Sequence, residues 1–253
     1  MDDLHLGTIN IAEFISETVG KSGHVQAVGG GCLIASNRNV QNAYFAAAIR
    51  TAPDSDPEKF VTDSVSFFGD LHRAFYFWVP TNDLKFRDAV AEVAGDPEAS
   101  KPPAMSIRTA IEVDEARCTV RAARTADDFT IFGETVEAGY ESPGLGWLLS
   151  DQESYSANGV TWAIAYDGDD PVGAACGYNK NSVGGVYFVA TPPEHRGKRV
   201  GAEVTRWTVN SLFENGARCV TLQSSQIGLG VYERLGFDVC GYYEIFLVNA
   251  PEG

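Results

Sequence analysis

Four basic side chains lie within the five residues from His195 to Arg199, in a chain whose formal net charge is −15. The segment follows a strand-like run, Val186 to Ala190, and precedes a helical pattern of apolar residues. A pyrophosphate binds where backbone N–H groups converge at a helix N-terminus and basic side chains add charge. Gly197 and Gly201 would leave the backbone open to such a group. The segment therefore predicts an anion site.

A tyrosine follows downstream, in the run Val231-Tyr232-Glu233-Arg234-Leu235-Gly236-Phe237. A phenol with a pKa of roughly 10 keeps its proton near neutral pH and can act as a general acid. Tyr232 could also be a packed aromatic of a short helix. Its place behind the basic segment favours a role in chemistry.

The two segments together resemble those of the GNAT superfamily of N-acetyltransferases. The acyl-CoA signature of that family is Arg/Gln-x-x-Gly-x-Gly/Ala after a strand, with Arg196 in the first position and Gly201 in the last. Arg199 stands where the first glycine is usual, which is a departure from the pattern. Tyr232 and the following Gly-Phe match the family's Tyr-x-x-x-Gly-Phe. The resemblance covers about Arg117 to Val248.

The resemblance implies acetyl-CoA, or another acyl-CoA, as co-substrate and no metal. It implies that Tyr232 protonates the leaving sulfur and that the strand ending at Thr191 pairs with the pantetheine arm. That strand would splay from the next, which begins near Val220. Ser225 stands where many relatives carry an asparagine that faces the coenzyme. The residues expected to bind the coenzyme are Val189, Ala190, Thr191, Arg196, Gly197, Lys198, Arg199, Val200, Gly201, Ala202, Ser225 and Tyr232.

The general base is less well defined, because the strand from Val186 to Thr191 carries no carboxylate. Glu194 is expected at the rim of the loop. Among the acids of the preceding region, Glu153 is taken as the catalytic candidate, although each could equally be a solvated surface acid. No base is needed if the amine arrives neutral. The other acids of this region are Glu137, Glu141 and Asp151.

The elements that would position these residues form an α/β domain. Strand, helix, three antiparallel strands, helix, strand, helix and strand follow in order, which predicts a mixed, mostly antiparallel sheet flanked by helices. A proline-rich stretch from Gly95 to Pro103 predicts a linker. We expect an N-terminal domain at 1–110 and the acyltransferase domain at 115–250. The first half is also α/β and is either an accessory domain or a degenerate copy of the second.

The acidic balance argues against nucleic acid as a partner, since such binders need a basic surface. It would concentrate cationic ligands, although it could equally serve solubility alone. The five scattered cysteines predict free thiols in a reducing cytoplasm, and no run is long enough for a membrane span. The histidines lack metal-ligand spacing. The chain could act as a homodimer.

The function expected from the resemblance is direct transfer of an acyl group from acyl-CoA to a primary amine of a small, cationic molecule, such as a polyamine or an antibiotic. Three alternatives stay open. The acceptor could be a protein terminus or lysine, or the donor could be another acyl carrier. The chain could also be a non-catalytic acyl-CoA sensor or an interaction module.

Overall fold

The structure is a computed structural model that describes residues 1–20, 23–36, 42, 45–113, 116–146 and 158–251. The chain forms two compact units. Unit 1 comprises residues 1–104 together with 239–253, and unit 2 comprises residues 105–238. The C-terminal strand, which the sequence grouped with the second half, thus lies in the first unit.

Unit 1 contains five strands in the order β1-β2-β3-β4-β11. Neighbouring strands are antiparallel except β3 and β4, which pair in parallel from Ala47–Tyr76 to Ile49–Trp78. The described elements are α1 (Asp3–Glu17), β1 (His24–Val28), β2 (Gly31–Ala35), β3 (Ala46–Arg50), α2 (Pro57–Asp70), β4 (Phe75–Pro80), α3 (Leu84–Ala94) and, at the end of the chain, β11 (Asp238–Val248).

Phenylalanines form the core of unit 1 between the sheet and helices α2 and α3. Phe68 and Phe75 stack with ring centroids 4.1 Å apart, and Phe77 meets Phe86 edge to face at 5.9 Å. The aromatic runs around Phe68 and Phe75 are thus core, where burial of large apolar surface stabilises the unit.

The described strands of unit 2 follow in the order β5-β10-β9-β8-β7-β6, with mixed directions. Its strands are antiparallel from β6 to β9, whereas β9 and β10 are parallel. The described elements are β5 (Pro103–Ile107), which begins at the boundary, β6 (Thr119–Ala122), α4 (Ala126–Tyr140), β7 (Val160–Asp167), β8 (Asp170–Lys180), β9 (Val183–Ala190), a 3-10 turn (Pro193–His195), α5 (Val200–Glu214), β10 (Cys219–Gln223) and α6 (Leu229–Arg234).

The helices of unit 2 begin and end where local sequence dictates. Thr125 and Asp128 form a reciprocal capping box at the start of α4. Val204, Val209 and Leu212 of α5 are buried against the sheet. The α/β class with a mostly antiparallel sheet flanked by helices is therefore confirmed.

The same series of elements occurs in both units. In unit 1 a strand, helix, parallel strand and helix follow one another as β3, α2, β4 and α3, and in unit 2 as β9, α5, β10 and α6. β5 was not predicted from the sequence, because it follows directly on the proline-rich stretch.

Candidate active site

A β-bulge interrupts β9 near its end. Cys176 of β8 pairs with Tyr187, and Ala174 pairs with Ala190, so β9 contains one extra residue over this interval. Phe188 within it has a φ of 51°, in the left-handed region that bulky residues avoid. Such a conformation costs about 1–2 kcal/mol. Bulges and strain of this kind cluster at functional sites because they re-aim the backbone.

The parallel pair of unit 2 separates at the same point. The register between β10 and β9 runs from Cys219–Val183 to Leu222–Val186. β9 continues to Ala190, whereas β10 ends at Gln223, so the described pairing stops before the bulge. The two strands therefore open a gap whose wall is the last part of β9, including Val189 and Ala190. The resemblance to the GNAT superfamily led us to expect a splay between these two strands.

The basic segment forms the loop between β9 and α5. Gly197 has a φ of 77°, and Arg199, at the N-cap of α5, has a φ of 65° and a ψ of 12°. Arg199 thus adopts the conformation for which the family's usual glycine is suited. No side chain among the described residues caps α5, so its first N–H groups, at Val200, Gly201 and Ala202, have no capping group there.

The Arg196 side chain ties this loop to the end of α4. Its guanidinium donates to the carbonyl oxygens of Thr191 at 3.2 Å and Gly139 at 2.8 Å, and it contacts Glu141 Oε2 at 3.0 Å. The backbone of Gly139 also lies close to β9, since a Cβ added there would stand 2.7 Å from the Ala190 Cβ. Arg196 therefore fixes the loop as well as adding charge.

Tyr232 lies on α6, with its ring 5.9 Å from that of Phe237. Ser225 lies in the turn before α6, where its hydroxyl accepts a 3.1 Å hydrogen bond from the Gly228 N–H. Burial raises the pKa of Tyr232 well above the usual value of 10, and the neighbouring Tyr140 raises it further. The phenol of Tyr232 thus keeps its proton at all ordinary pH values.

Tyr140, the last residue of α4, was not among the residues singled out from the sequence. Burial raises its pKa as well, and 49% of the residue remains exposed. The residue pair Gly139-Tyr140 at the end of a helix forms no sequence motif that would indicate a functional residue. The proximity of its phenol to Tyr232 depends on the tertiary contact between α4 and β9.

The acids considered as general bases have other roles or lie outside the described residues. Glu137 accepts a 3.0 Å hydrogen bond from the Gly146 N–H, and Glu141 pairs with Arg196. Glu194 is exposed in the 3-10 turn. Asp151 and Glu153 fall within 147–157, outside the described residues.

The other features to consider are the cysteines, potential metal ligands and possible membrane spans. All five cysteines are free thiols, and burial raises the pKa of Cys176 well above its usual value. Across the described part of the chain, no three His, Cys, Asp or Glu side chains group as a metal site would require. In the same part, every helix falls short of the length and apolarity of a membrane span.

Comparison with known proteins matches residues 128–237 to the acetyltransferase (GNAT) family. A GCN5-related N-acetyltransferase from Kribbella flavida shares the fold at a TM-score of 0.74 and 16% identity, over 97% of this chain and 95% of that one. A tandem GNAT protein from the clavulanic acid biosynthesis pathway does so at 0.64 and 10%, over 96% and 88%. No curated protein matches the chain.

The family match lies within unit 2. Residues 128–237 match the acetyltransferase (GNAT) family, and the solved structures named above share the fold of the chain. The matched region includes the bulged strand, the basic loop and Tyr232.

Proposed function

We propose that the protein transfers an acetyl group from acetyl-CoA directly to a primary amine of a small molecule. The observation that carries this proposal is the neutral phenol of Tyr232 in the unit that also holds an uncapped helix N-terminus behind a basic loop. The neutral phenol is suited to protonating a thiolate, and the uncapped helix N-terminus with its basic loop is suited to binding a pyrophosphate.

The reaction balances without another reactant. The lone pair of the amine attacks the thioester carbonyl carbon, the carbon–sulfur bond breaks, and the sulfur leaves with the electron pair. Tyr232 gives its proton to this sulfur, and the proton lost by the amine restores the phenol through solvent. The products are an N-acetyl amine and free CoA.

Each part of unit 2 would contribute to this step. N–H groups of the bulged segment, Val189 to Thr191, would stabilise the oxyanion that forms on the carbonyl oxygen. The loop from Arg196 to Arg199 and the first turn of α5 would bind the pyrophosphate. A cavity of about 420 Å³ adjoins the loop and could take further phosphate, because three of its lining residues are basic; they are Arg117, His195 and Lys198.

The acceptor is proposed to be a small amine, cationic in solution, because the net charge of −15 would concentrate it near the protein. It must lose a proton before it attacks. Since Glu137 and Glu141 both have structural partners, deprotonation by solvent fits the described residues better than either of these acids. Unit 1 would be a degenerate copy of the acyltransferase unit. An amine on a protein remains the second candidate acceptor.

Calorimetric titration of acetyl-CoA into the protein tests the coenzyme site. We expect micromolar binding that Arg196→Ala and Arg199→Ala weaken. Release of free CoA thiol is then followed with polyamines, aminoglycosides and lysine-containing peptides as acceptors. Absence of binding to folded protein would overturn the proposal.

A non-catalytic acyl-CoA sensor predicts a different result for Tyr232→Phe. In an enzyme this variant binds acetyl-CoA as the wild type does but loses turnover. In a sensor, neither protein releases thiol with any amine at any pH.

A further inference from the structure

Gln223, the last residue of β10, has a carboxamide whose polar atoms are buried without a partner among the described residues. Neither its Nε2 nor its Oε1 forms a hydrogen bond to any residue that the structure describes. A carboxamide offers two N–H donors and an acceptor oxygen. Buried polar groups are nearly always paired, so a side chain with both ends unpaired calls for a ligand or another explanation.

The face of the sheet on which this side chain lies follows from strand register. A Cβ at Gly177 would lie 2.8 Å from Thr208 of α5, so this position of β8 faces α5. Gly177 pairs with Val186, and Val186 pairs with Leu222. Successive side chains alternate between faces, so Gln223 lies on the face away from α5.

The opposite face is the one that α4 covers. Trp162 of β7 packs edge to face on Phe132 of α4, with centroids 5.0 Å apart. Trp162 pairs with Cys176, which pairs with Tyr187. The next position along this row is Gln223, at the point where β9 and β10 separate. Its carboxamide therefore lies at the inner end of the gap between the two strands.

Two residues assigned to the coenzyme make their apolar contacts on the other face. Val200 of α5 and Tyr232 of α6 belong to apolar clusters that include α5 residues. A substrate that meets the thioester from the α4 face would pass Gln223. The orphaned carboxamide is thus placed to recognise the acceptor rather than the pyrophosphate end of the donor.

We propose that Gln223 is a specificity-determining residue that binds a carboxamide group of the acceptor amine. An amide presents one oxygen acceptor and N–H donors, and it can satisfy both ends of the Gln223 side chain at once. An alkyl acceptor of the same shape would leave both ends unpaired, and sites built for hydrogen bonding discriminate strongly against such analogues. This inference rests on the proposed acetyl transfer and names the substrate class of that site.

Gln223→Met tests the inference, because methionine keeps the length of the side chain and removes both hydrogen-bonding groups. Gln226→Met, at an exposed glutamine in the next turn, is the matched control. The acceptors are glycinamide and its shape-matched alkyl analogue isobutylamine, together with β-alaninamide and isoamylamine. Thiol release gives kcat/KM for each, calorimetry gives the Kd of acetyl-CoA, and thermal unfolding gives Tm.

We expect the wild type to favour each amide over its alkyl partner and Gln223→Met to reduce that ratio by about tenfold or more. The Kd of acetyl-CoA should not change. The Tm of Gln223→Met should rise by about 2–4 °C, since an unpaired buried amide is replaced by an apolar group. The control should match the wild type in all three measurements.

Other outcomes overturn the inference. A fall in Tm would mean that Gln223 has a structural role, and a weaker Kd for acetyl-CoA would mean that it contacts the donor. Turnover of the alkyl amines alone, or of none of the four, would exclude an amide-bearing acceptor of this kind. Failure of the wild type to bind acetyl-CoA would instead defeat the proposed function itself.

Discussion

The guanidinium of Arg196 donates a 2.8 Å hydrogen bond to the carbonyl oxygen of Gly139, which joins the basic loop to the C-terminal end of α4. The same side chain bonds Thr191 at the start of the loop. Because the Arg196 side chain bonds both the end of α4 and the start of the loop, the loop is preorganised before any anion binds. Preorganisation reduces the entropy lost on binding.

We therefore expect Arg196→Ala to weaken acetyl-CoA binding by about tenfold or more, and Arg196→Lys to recover only part of the loss, because an ammonium cannot replace a planar fork of donors. Glu141→Gln removes an exposed ion pair but leaves the bond to Gly139. It should change the Kd less than threefold, as exposed pairs contribute little. Calorimetry measures all three. An effect of Glu141→Gln as large as that of Arg196→Ala would contradict this view.

Arg199 offers a test of backbone strain. Arg199→Gly and Arg199→Ala remove the same charge, but only glycine fits the φ of 65° without strain. We expect the glycine variant to exceed the alanine variant in free energy of unfolding by about 1 kcal/mol in urea titrations. Both should weaken acetyl-CoA binding to a similar degree. Equal stability of the two variants would show that the residue is not held in this conformation in solution.

The raised pKa of Tyr232 and the proximity of Tyr140 lead to a prediction about the pH dependence of kcat. A raised pKa keeps Tyr232 protonated as the pH rises past 10, so its ionisation should not lower kcat between pH 8 and 10. Tyr140→Phe removes the neighbour that adds to the shift, so the pKa of Tyr232 should fall toward its usual value. Absorbance of tyrosinate during alkaline titration follows this, with Tyr232→Phe to assign the signal. A Tyr232 that titrates normally in the wild type would contradict the burial of its hydroxyl.

Glu244 is a buried carboxylate of unit 1. Lys101 contacts it at 2.6 Å and Arg87 at 2.8 Å, and these partners lower its pKa below the ordinary value of 4.5. A carboxylate with a lowered folded pKa stabilises the protein above its unfolded pKa, and this contribution is lost as the pH falls through the folded pKa. Glu244→Gln should lower the free energy of unfolding by roughly 1–3 kcal/mol at pH 7. The difference from wild type should shrink below about pH 4, as measured by urea unfolding at several pH values.

The two units differ at the corresponding helix start, which predicts the binding stoichiometry. In unit 1 the Asp56 carboxylate accepts hydrogen bonds from the N–H groups of Glu58 and Lys59 at the start of α2. The Arg50 side chain fills the preceding turn, where it bonds Pro53 and Ser55. An anion would have to displace a carboxylate there, whereas α5 has no side-chain cap. We expect calorimetry to give one bound acetyl-CoA per chain. Two bound acetyl-CoA molecules per chain would contradict the difference between the two helix starts.

The elements with strong local signals were predictable from the sequence. The basic loop, the helix of Tyr232 and the capped start of α4 depend on residues close together in the chain. The bulge at Phe188, the partnerless carboxamide of Gln223 and the contact of Gly139 with Ala190 depend on pairing across strands and helices. These three features cannot be predicted from residue types or their spacing. Each depends on the tertiary packing of a strand or helix whose own sequence is ordinary.

The membership of β11 in unit 1 has a consequence for biosynthesis. β4 receives its antiparallel partner from Tyr243 to Val248, near the end of the chain. At roughly 5–20 residues per second, translation would leave that edge of β4 bare for about 10–30 s. A bare strand edge is a template for pairing with other chains. The first half of the nascent protein thus emerges with an unpaired strand edge, which stays open until Tyr243 to Val248 have been synthesised.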